Sequence, residues 1–151
     1  MPNSYADVQA FLGLHRIAMA GVSREPAAFS RSIYREFVRR GYDVIPVNPS
    51  ADEIEGRPCY HSVSEIQPPV EGALITTSGA AVEAVVKECE AAGVKHVWLS
   101  RGVNSPQAVT FGQERGMNMV VGECPLMFLE RAGFVHSVHG FFRKMSGTYP
   151  H

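Results

Sequence analysis

Five short apolar runs recur along the chain, and nearly every position within each run is apolar. They begin at Arg16, Tyr42, Gly72, Lys95 and Met117 and read RIAMAGV, YDVIPV, GALITT, KHVWLS and MNMVVG. Strands that are apolar at almost every position, not at every second one, are typical of a parallel sheet covered on both faces. The pattern therefore predicts an open five-stranded parallel sheet.

Amphipathic segments separate most of these runs. SRSIYREFVRRG and SGAAVEAVVKECEAAG each carry an apolar stripe and end at a glycine, Gly41 and Gly93. NSPQAVTFGQERG has Asn104 or Ser105 as its cap and proline in its first turn. Strand, helix and strand thus alternate as in βαβ units, which predicts helices on both faces of the sheet.

Further helices are predicted outside this alternation. A Ser-x-x-Glu capping box from Ser62 to Glu65 predicts a short helix between the second and third strands. An N-terminal helix is expected over about residues 4–14, and a C-terminal helical extension over about 125–146. That extension, which contains His136 and His139, would cover the sheet edge or form a homodimer contact. We expect one α/β domain over residues 1–151.

Charge and composition narrow the partners. The formal net charge is -1, and the basic residues are spread along the chain, which argues against nucleic-acid binding. No apolar run approaches the roughly 20 residues of a membrane span, and the first residues lack the features of a signal peptide. Three cysteines without close pairing suit a reducing compartment. We expect a cytoplasmic protein without a bound metal.

The predicted topology selects the site before any motif is considered. In open α/β sheets, ligands bind beyond the carboxyl ends of the strands, where the strand order reverses. The turns at those ends are Gly21-Val22-Ser23-Arg24, Asn48-Pro49-Ser50, Thr76-Thr77-Ser78, Ser100-Arg101-Gly102 and Glu123-Cys124-Pro125.

The first of these turns has the composition of a phosphate site. Gly21 would let the backbone approach an anion, and the N–H groups at the start of the next helix would favour its charge. Hydroxyl groups come from Ser23, Ser30 and Ser32, and positive charge comes from Arg24 and Arg31. The alternative interpretation is that Ser30 caps the helix and that the arginines are solvated.

The second turn bears on which nucleotide would bind. NAD sites place an acid at the end of the second strand to hold the ribose hydroxyls. Asn48 and Pro49 occupy that position here. A neutral turn disfavours NAD and tolerates a phosphorylated ribose. An ordinary turn with Asx hydrogen bonds is the alternative explanation.

Four segments carry a resemblance to a known family: IAMAGVS, GYDVIPVNPSADEIEGRPCYHSVSEI, HVWLSRGV and VVGECP. They resemble the small stand-alone CoA-binding-domain proteins, whose Rossmann-like fold is shared with the N-terminal domain of the succinyl-CoA synthetase alpha subunit. The resemblance runs in register from Arg16 to Pro125. The histidine that the synthetase phosphorylates lies in a second domain without a counterpart here, so that catalytic role is not carried over.

The resemblance implies that CoA lies across the strand ends. The phosphates would be held by Gly21, Val22 and Ser23 together with Ser30 and Ser32. The adenosine portion would lie beside Asn48 and Pro49, and the rest of the groove would be lined by Thr76, Thr77, Ser78, Ser100, Arg101 and Gly102. An acid at the second turn would repel the 3′-phosphate that CoA carries on its ribose.

Three hypotheses about function follow. The first is a module that binds CoA or an acyl-CoA and has no catalytic activity of its own. The second is an NAD(P)-binding redox protein, although this sequence lacks the glycines and the acid expected of an NAD site. The third is a small thioester enzyme using Cys124, whose place at a helix start would lower a thiol pKa but which has no recognisable base in the sequence.

Overall fold

The computed structural model describes residues 5–128. In chain order, its elements are α1 (Tyr5–Leu12), β1 (Arg16–Ala20), α2 (Phe29–Arg39), β2 (Asp43–Val47), β3 (Glu53–Ile54), β4 (Arg57–Pro58), a 3-10 helix (Val63–Glu65), β5 (Gly72–Ile75), α3 (Ala81–Ala91), β6 (His96–Ser100), α4 (Pro106–Glu114) and β7 (Asn118–Glu123). Helical backbone resumes at 125–128.

The main sheet has five parallel strands in the order β2-β1-β5-β6-β7. This confirms the parallel sheet predicted from the apolar runs. The strand order reverses at β1, which pairs with β2 on one side and with β5 on the other. The carboxyl ends of β1 and β5 therefore form the switch point at which ligands bind in such sheets.

Helices cover both faces, as the alternation predicts. Along β1, Ile17 and Met19 belong to a core formed with α1 and α2, whereas Ala18 and Ala20 belong to a core formed with α3 and α4. Successive residues of a strand point to opposite faces, so a strand that is buried on both faces has to be apolar throughout. The two cores are the physical reason for the continuous apolar runs.

A small antiparallel hairpin, β3–β4, lies in the connection after β2 and was not predicted. Its two-residue loop has positive φ at both positions, 54° at Glu55 and 80° at Gly56, which is the type I′ turn favoured in tight hairpins. The chain then runs beside β2, where Tyr60 forms a parallel bridge with Val47. The hairpin and this bridge place the segment after β2 close to the carboxyl edge of the sheet.

The capping box predicted in the same connection is only half formed. The Ser62 side chain accepts a hydrogen bond from the backbone N–H of Ser64, and the element it caps is a 3-10 helix. The Glu65 carboxylate accepts the N–H of His61 instead of that of Ser62. One turn of helix between two loops is too short to develop the α-helical pattern.

The predicted C-terminal extension reaches past the part of the chain that the structure describes. Residues 129–146, with His136 and His139 and the predicted homodimer contact, lie outside that part. Over residues 5–128, the helices are all too short or too polar to cross a bilayer.

The only tryptophan gives a direct test of the core on the α1 face. Trp98 is fully buried, and its ring packs edge-to-face against the Phe11 ring with the ring centroids 5.4 Å apart. We expect Phe11→Ala to lower the free energy of unfolding by about 3–5 kcal/mol, because it leaves a cavity against the sheet. Urea unfolding followed by Trp98 fluorescence measures this.

The matched control is Tyr5→Ala on the same helix. The Tyr5 side chain is 75% exposed, so its loss should change stability by less than about 0.5 kcal/mol. Equal effects of the two variants would contradict the packing of α1 against β6.

Candidate functional site

The first three strand-end turns meet at the switch point. The Gly21 N–H donates to the Val47 carbonyl at 3.0 Å, and the Asn48 side-chain amide donates to the Val22 carbonyl at 2.8 Å. The hydroxyl of Thr76 donates to the Ala20 carbonyl at 3.1 Å. The turns after β1, β2 and β5 are therefore cross-linked by hydrogen bonds into one rigid edge.

Asn48 fits the Asx alternative and adds a tertiary contact. Its side-chain oxygen accepts the N–H of Ser50 at 2.7 Å, the hydrogen bond of an Asx turn. Its amide nitrogen is the group that donates to Val22. Both polar atoms of the Asn48 side chain are thus occupied by hydrogen bonds within the protein. The neighbouring Pro49 is exposed.

Gly21 lies in close contact with the turn after β5. Its φ is 99°, and a Cβ at this position would lie 2.5 Å from the Thr77 backbone nitrogen and 2.9 Å from the Thr76 hydroxyl. The space beside Gly21 is thus filled by the turn after β5. The close approach of two backbone turns therefore requires a glycine here, and the expected approach of a phosphate to this turn stays a prediction.

The loop between β1 and α2 is held from the helix side. Arg31 is 8% exposed, and its guanidinium donates to the carbonyls of Ser23 and Arg24 at 3.2 and 3.1 Å. Arg35, one turn later, donates to the Pro26 carbonyl at 2.9 Å. The loop 23–26 therefore directs three of its carbonyls toward arginine side chains.

Both arginines share one carboxylate. A single oxygen of Glu55, at the tip of the β3–β4 hairpin, accepts hydrogen bonds from Arg31 Nε at 2.9 Å and Arg35 Nε at 3.0 Å. These hydrogen bonds, that of Arg31 above all, hold the pKa of Glu55 below its usual range. The hairpin, α2 and the loop after β1 are thereby joined in one ion cluster.

Serine hydroxyls complete the loop. Ser30 accepts the N–H of Ser23, and the Ser23 hydroxyl accepts the N–H of Glu25, each at 3.0 Å. Ser30 therefore turns back onto the loop, and α2 has no side chain capping its N-terminus, where Ala28 stands. The alternative interpretation in which Ser30 caps α2 is therefore wrong, because its hydroxyl accepts a loop N–H.

Helix α3 also begins without a side-chain cap, at Ala80. By contrast, α4 is capped by Ser105, whose hydroxyl accepts the N–H of Ala108. All three helices follow a parallel strand and begin at the carboxyl edge of the sheet. The two that flank the switch point thus leave backbone N–H groups open to water or to an anion.

The fourth and fifth turns form a second group. The Arg101 N–H donates to the Glu123 carbonyl at 3.1 Å, and the Trp98 indole N–H donates to the same oxygen at 2.9 Å. The Arg101 side chain is exposed and lies 2.9 Å from the Met127 sulfur. Within residues 5–128, neither Arg101 nor Arg24 forms an ion pair, so both present unneutralised charge to solvent.

The predicted site residues fall into three groups. Val22, Arg31 and Ser100 are buried. Those partly exposed are Gly21, Ser23, Ser30, Asn48, Thr76 and Thr77. The exposed ones are Arg24, Ser32, Pro49, Ser78, Arg101 and Gly102. The structure brings the first three turns together, and it gives Val22 and Arg31 places inside the protein.

Glu55, Ala28 and Ala80 were not predicted from the sequence. Glu-Gly between Ile54 and Arg57 is a two-residue turn signal that could have revealed the hairpin. Alanine at a position where serine, threonine or aspartate is preferred could have revealed the open helix ends. The pairing of Glu55 with arginines 24 and 20 residues away leaves no local signal.

The three cysteines Cys59, Cys89 and Cys124 are free and buried. Burial raises the pKa of Cys59 and raises that of Cys89 to about 12, so both thiols are poor nucleophiles. The Cys124 thiol makes no hydrogen bond to another residue in the described range, and no base is positioned to activate it there.

Comparison with known proteins gives a consistent result. A family model described as CoA binding domain matches residues 15–130. The uncharacterized protein YneT of Bacillus subtilis is 27% identical over 109 residues, covering 72% of this chain and 81% of YneT. The alpha subunit of acetate–CoA ligase [ADP-forming] II from Pyrococcus furiosus is 32% identical over 88 residues, 58% of this chain but only 19% of the subunit.

A solved structure supports the same fold. A hypothetical protein from Pyrococcus horikoshii OT3 superposes with a TM-score of 0.82 at 27% identity, covering 87% of this chain and 95% of that one. The structural relative is thus of similar size, whereas the ligase subunit is several times longer than the matched part.

The contact at Gly21 can be tested against a glycine with a similar φ angle. Gly41 has φ 95°, and a Cβ there would meet nothing within 4 Å. We expect Gly41→Ala to cost about 1–2 kcal/mol of stability, the penalty of a left-handed conformation. Gly21→Ala should cost about 1–3 kcal/mol more, because Thr77 has to move. Chemical denaturation of both variants measures the difference, and equal losses would contradict the contact.

The ion cluster predicts a pH dependence. Because the folded state lowers the pKa of Glu55, the stabilisation is present above the ordinary glutamate pKa of about 4.3 and is lost as the pH falls through the lowered value. We expect Glu55→Gln to be less stable than the wild type by about 1–3 kcal/mol at pH 7. The difference should shrink below about pH 4. Urea unfolding across this range tests it; a constant difference would show that the charge is irrelevant.

Proposed function

This chain belongs to the CoA binding domain family, and on that premise we propose that it binds CoA or an acyl-CoA at the carboxyl edge of its sheet. In this proposal it is a ligand-binding module with no catalytic activity of its own. The observation that carries the proposal is the pair of uncapped helix N-termini at the switch point, α2 at Ala28 and α3 at Ala80. Each offers backbone N–H groups to an anion.

The charges at this edge suit a ligand with several phosphates. CoA carries a pyrophosphate and a 3′-phosphate, and Arg24 and Arg101 are exposed without an ion-pair partner among residues 5–128. In the proposed complex, the pyrophosphate meets the first turn and the N-terminus of α2, where Ser23 and Ser30 lie. One of the two arginines meets the 3′-phosphate.

The turn after β2 favours CoA over NAD. The Asn48 side chain is occupied by hydrogen bonds to Val22 and Ser50, so the place that an acid takes in NAD sites is filled by a structural amide. In the proposed complex, the adenosine lies against exposed Pro49. Thr77, Ser78 and Gly102 line the remainder of the groove.

The two other hypotheses have less support. A hydride-transferring protein needs to bind NAD(P), and the turn after β2, which would hold the adenosine ribose of NAD, is neutral. A thioester enzyme needs an activated thiol, and Cys124 has no base beside it in the described part of the chain. Free buried cysteines suit a reducing compartment, so we propose a cytoplasmic location.

Native mass spectrometry of the freshly purified protein tests the ligand class. We expect a bound mass equal to CoA or an acyl-CoA, or binding of added CoA that is tighter than binding of NAD by calorimetry. NAD binding that is equal or tighter would overturn the proposal, and so would the absence of any CoA binding.

The arginine contribution is tested by charge-removing variants. We expect Arg24→Gln or Arg101→Gln to weaken CoA binding about ten- to hundredfold, because a charge-assisted hydrogen bond to phosphate contributes roughly 1.5–3 kcal/mol. The arginine that meets the 3′-phosphate should have a smaller effect on dephospho-CoA.

Lys95→Gln is the matched control. Lys95 is exposed just before β6, at the opposite edge of the sheet, and its loss removes the same charge. It should change the affinity by less than about threefold, the effect of a distant screened charge. If Lys95→Gln is as damaging as the arginine variants, net charge and not the carboxyl edge governs binding.

A further inference from the structure

Glu55 has an unfavourable backbone conformation, and two arginines donate to its carboxylate. It is the only non-glycine residue in the described part of the chain with a positive φ, 54°. The type I′ turn that it occupies favours asparagine or glycine, and glutamate lacks the local side-chain-to-backbone hydrogen bond with which asparagine or aspartate offsets the left-handed conformation. A residue held in a disfavoured conformation points to a role for its side chain.

That side chain fixes two arginines that in turn fix the loop after β1. Glu55 accepts hydrogen bonds from Arg31 and Arg35. Those arginines donate to the carbonyls of Ser23, Arg24 and Pro26. The carboxylate therefore acts on the loop only through the arginines. Together these hydrogen bonds connect the hairpin tip to the β1–α2 loop.

The orientation of the carbonyls determines the orientation of the amides. In a planar trans peptide the C=O and N–H bonds point in opposite directions. Since the carbonyls of Ser23 and Pro26 face the guanidinium groups, the N–H groups of Arg24 and Ala27 face away from them. Neither N–H has a hydrogen-bond partner among residues 5–128, so both are available to a ligand.

We propose that Glu55 is a positioning residue for ligand phosphate: through Arg31 and Arg35 it sets the loop 23–26 so that the amides of Arg24 and Ala27 bind the anion. This inference rests on the proposed function. It also assigns Arg31, whose donors are taken up by Glu55 and two carbonyls, to holding the loop instead of contacting the phosphate.

Simple electrostatics predicts the opposite outcome, which makes the inference testable. Removing a negative charge near the site should strengthen the binding of a polyanion if only long-range charge matters. If Glu55 positions the loop, the same change should weaken binding. The sign of the effect therefore separates the two explanations.

The test variant is Glu55→Asn. Asparagine tolerates the left-handed conformation and suits the type I′ turn, so the hairpin should be kept while the carboxylate is lost. We expect CoA affinity, measured by calorimetry on the full chain, to fall at least tenfold. Glu55→Gln keeps the side-chain length and one acceptor oxygen, so its CoA affinity should lie between those of the wild type and Glu55→Asn.

Glu53→Gln is the matched control. Glu53 is an exposed residue of the same hairpin and makes no side-chain hydrogen bond within the described residues, and its loss removes the same charge. It should bind CoA within twofold of the wild type. In ¹⁵N-labelled protein without ligand, the amide resonances of Arg24 and Ala27 should move in Glu55→Asn and stay in place in Glu53→Gln.

The outcomes distinguish this inference from the proposed function. If the wild type binds CoA and Glu55→Asn binds it as tightly or more tightly, the positioning role is wrong and the proposed function stands. If the wild type does not bind CoA, the proposed function is wrong and the inference falls with it. A weakened Glu55→Asn with intermediate Glu55→Gln and unchanged Glu53→Gln supports both.

Discussion

The close approach of two backbone turns at Gly21 is the constraint on which the site depends. Strands β1 and β5 are neighbours in the sheet, but the chain leaves them toward opposite faces, to α2 and to α3. The turns can lie against each other only because Gly21 has no Cβ and adopts φ 99°. The two helices that begin without a side-chain cap follow these turns in the chain, so a displacement of Thr77 from Gly21 would alter the surface proposed to meet a ligand.

The main sheet and its helices could be predicted from the sequence. The ion cluster of Glu55, Arg31 and Arg35 that holds the loop after β1 could not. Continuous burial on both faces leaves a strong local pattern, which is why all five strands of the main sheet were predicted. The hairpin escaped because strands of two residues, Glu53–Ile54 and Arg57–Pro58, are too short to show alternation. Its partners on α2 are far away in the chain, and their pairing is a property of the tertiary structure.

The site shows the same division. Topology and turn composition indicated which segments meet at the carboxyl edge, and the structure places the first three turns together there. What each side chain does could not be deduced, because serine and arginine serve equally well as ligand contacts and as structural donors. Arg31 and Asn48 illustrate this: each resembles a ligand contact in the sequence, and each uses its polar atoms to hold loop backbone.

The distribution of ion pairs reconciles a net charge of -1 with the proposed binding of an anion. Four successive basic residues on and just after α2 are paired with two carboxylates: Arg31 and Arg35 with Glu55, and Arg39 and Arg40 with Glu36. Arg16 and Arg57 likewise share Asp43 near the amino end of β2. The arginines that retain unpaired charge in the described part of the chain, Arg24 and Arg101, both lie at the carboxyl edge. The positive charge that the proposed ligand would meet therefore depends on which arginines lack a carboxylate of their own, and the net charge does not reveal it.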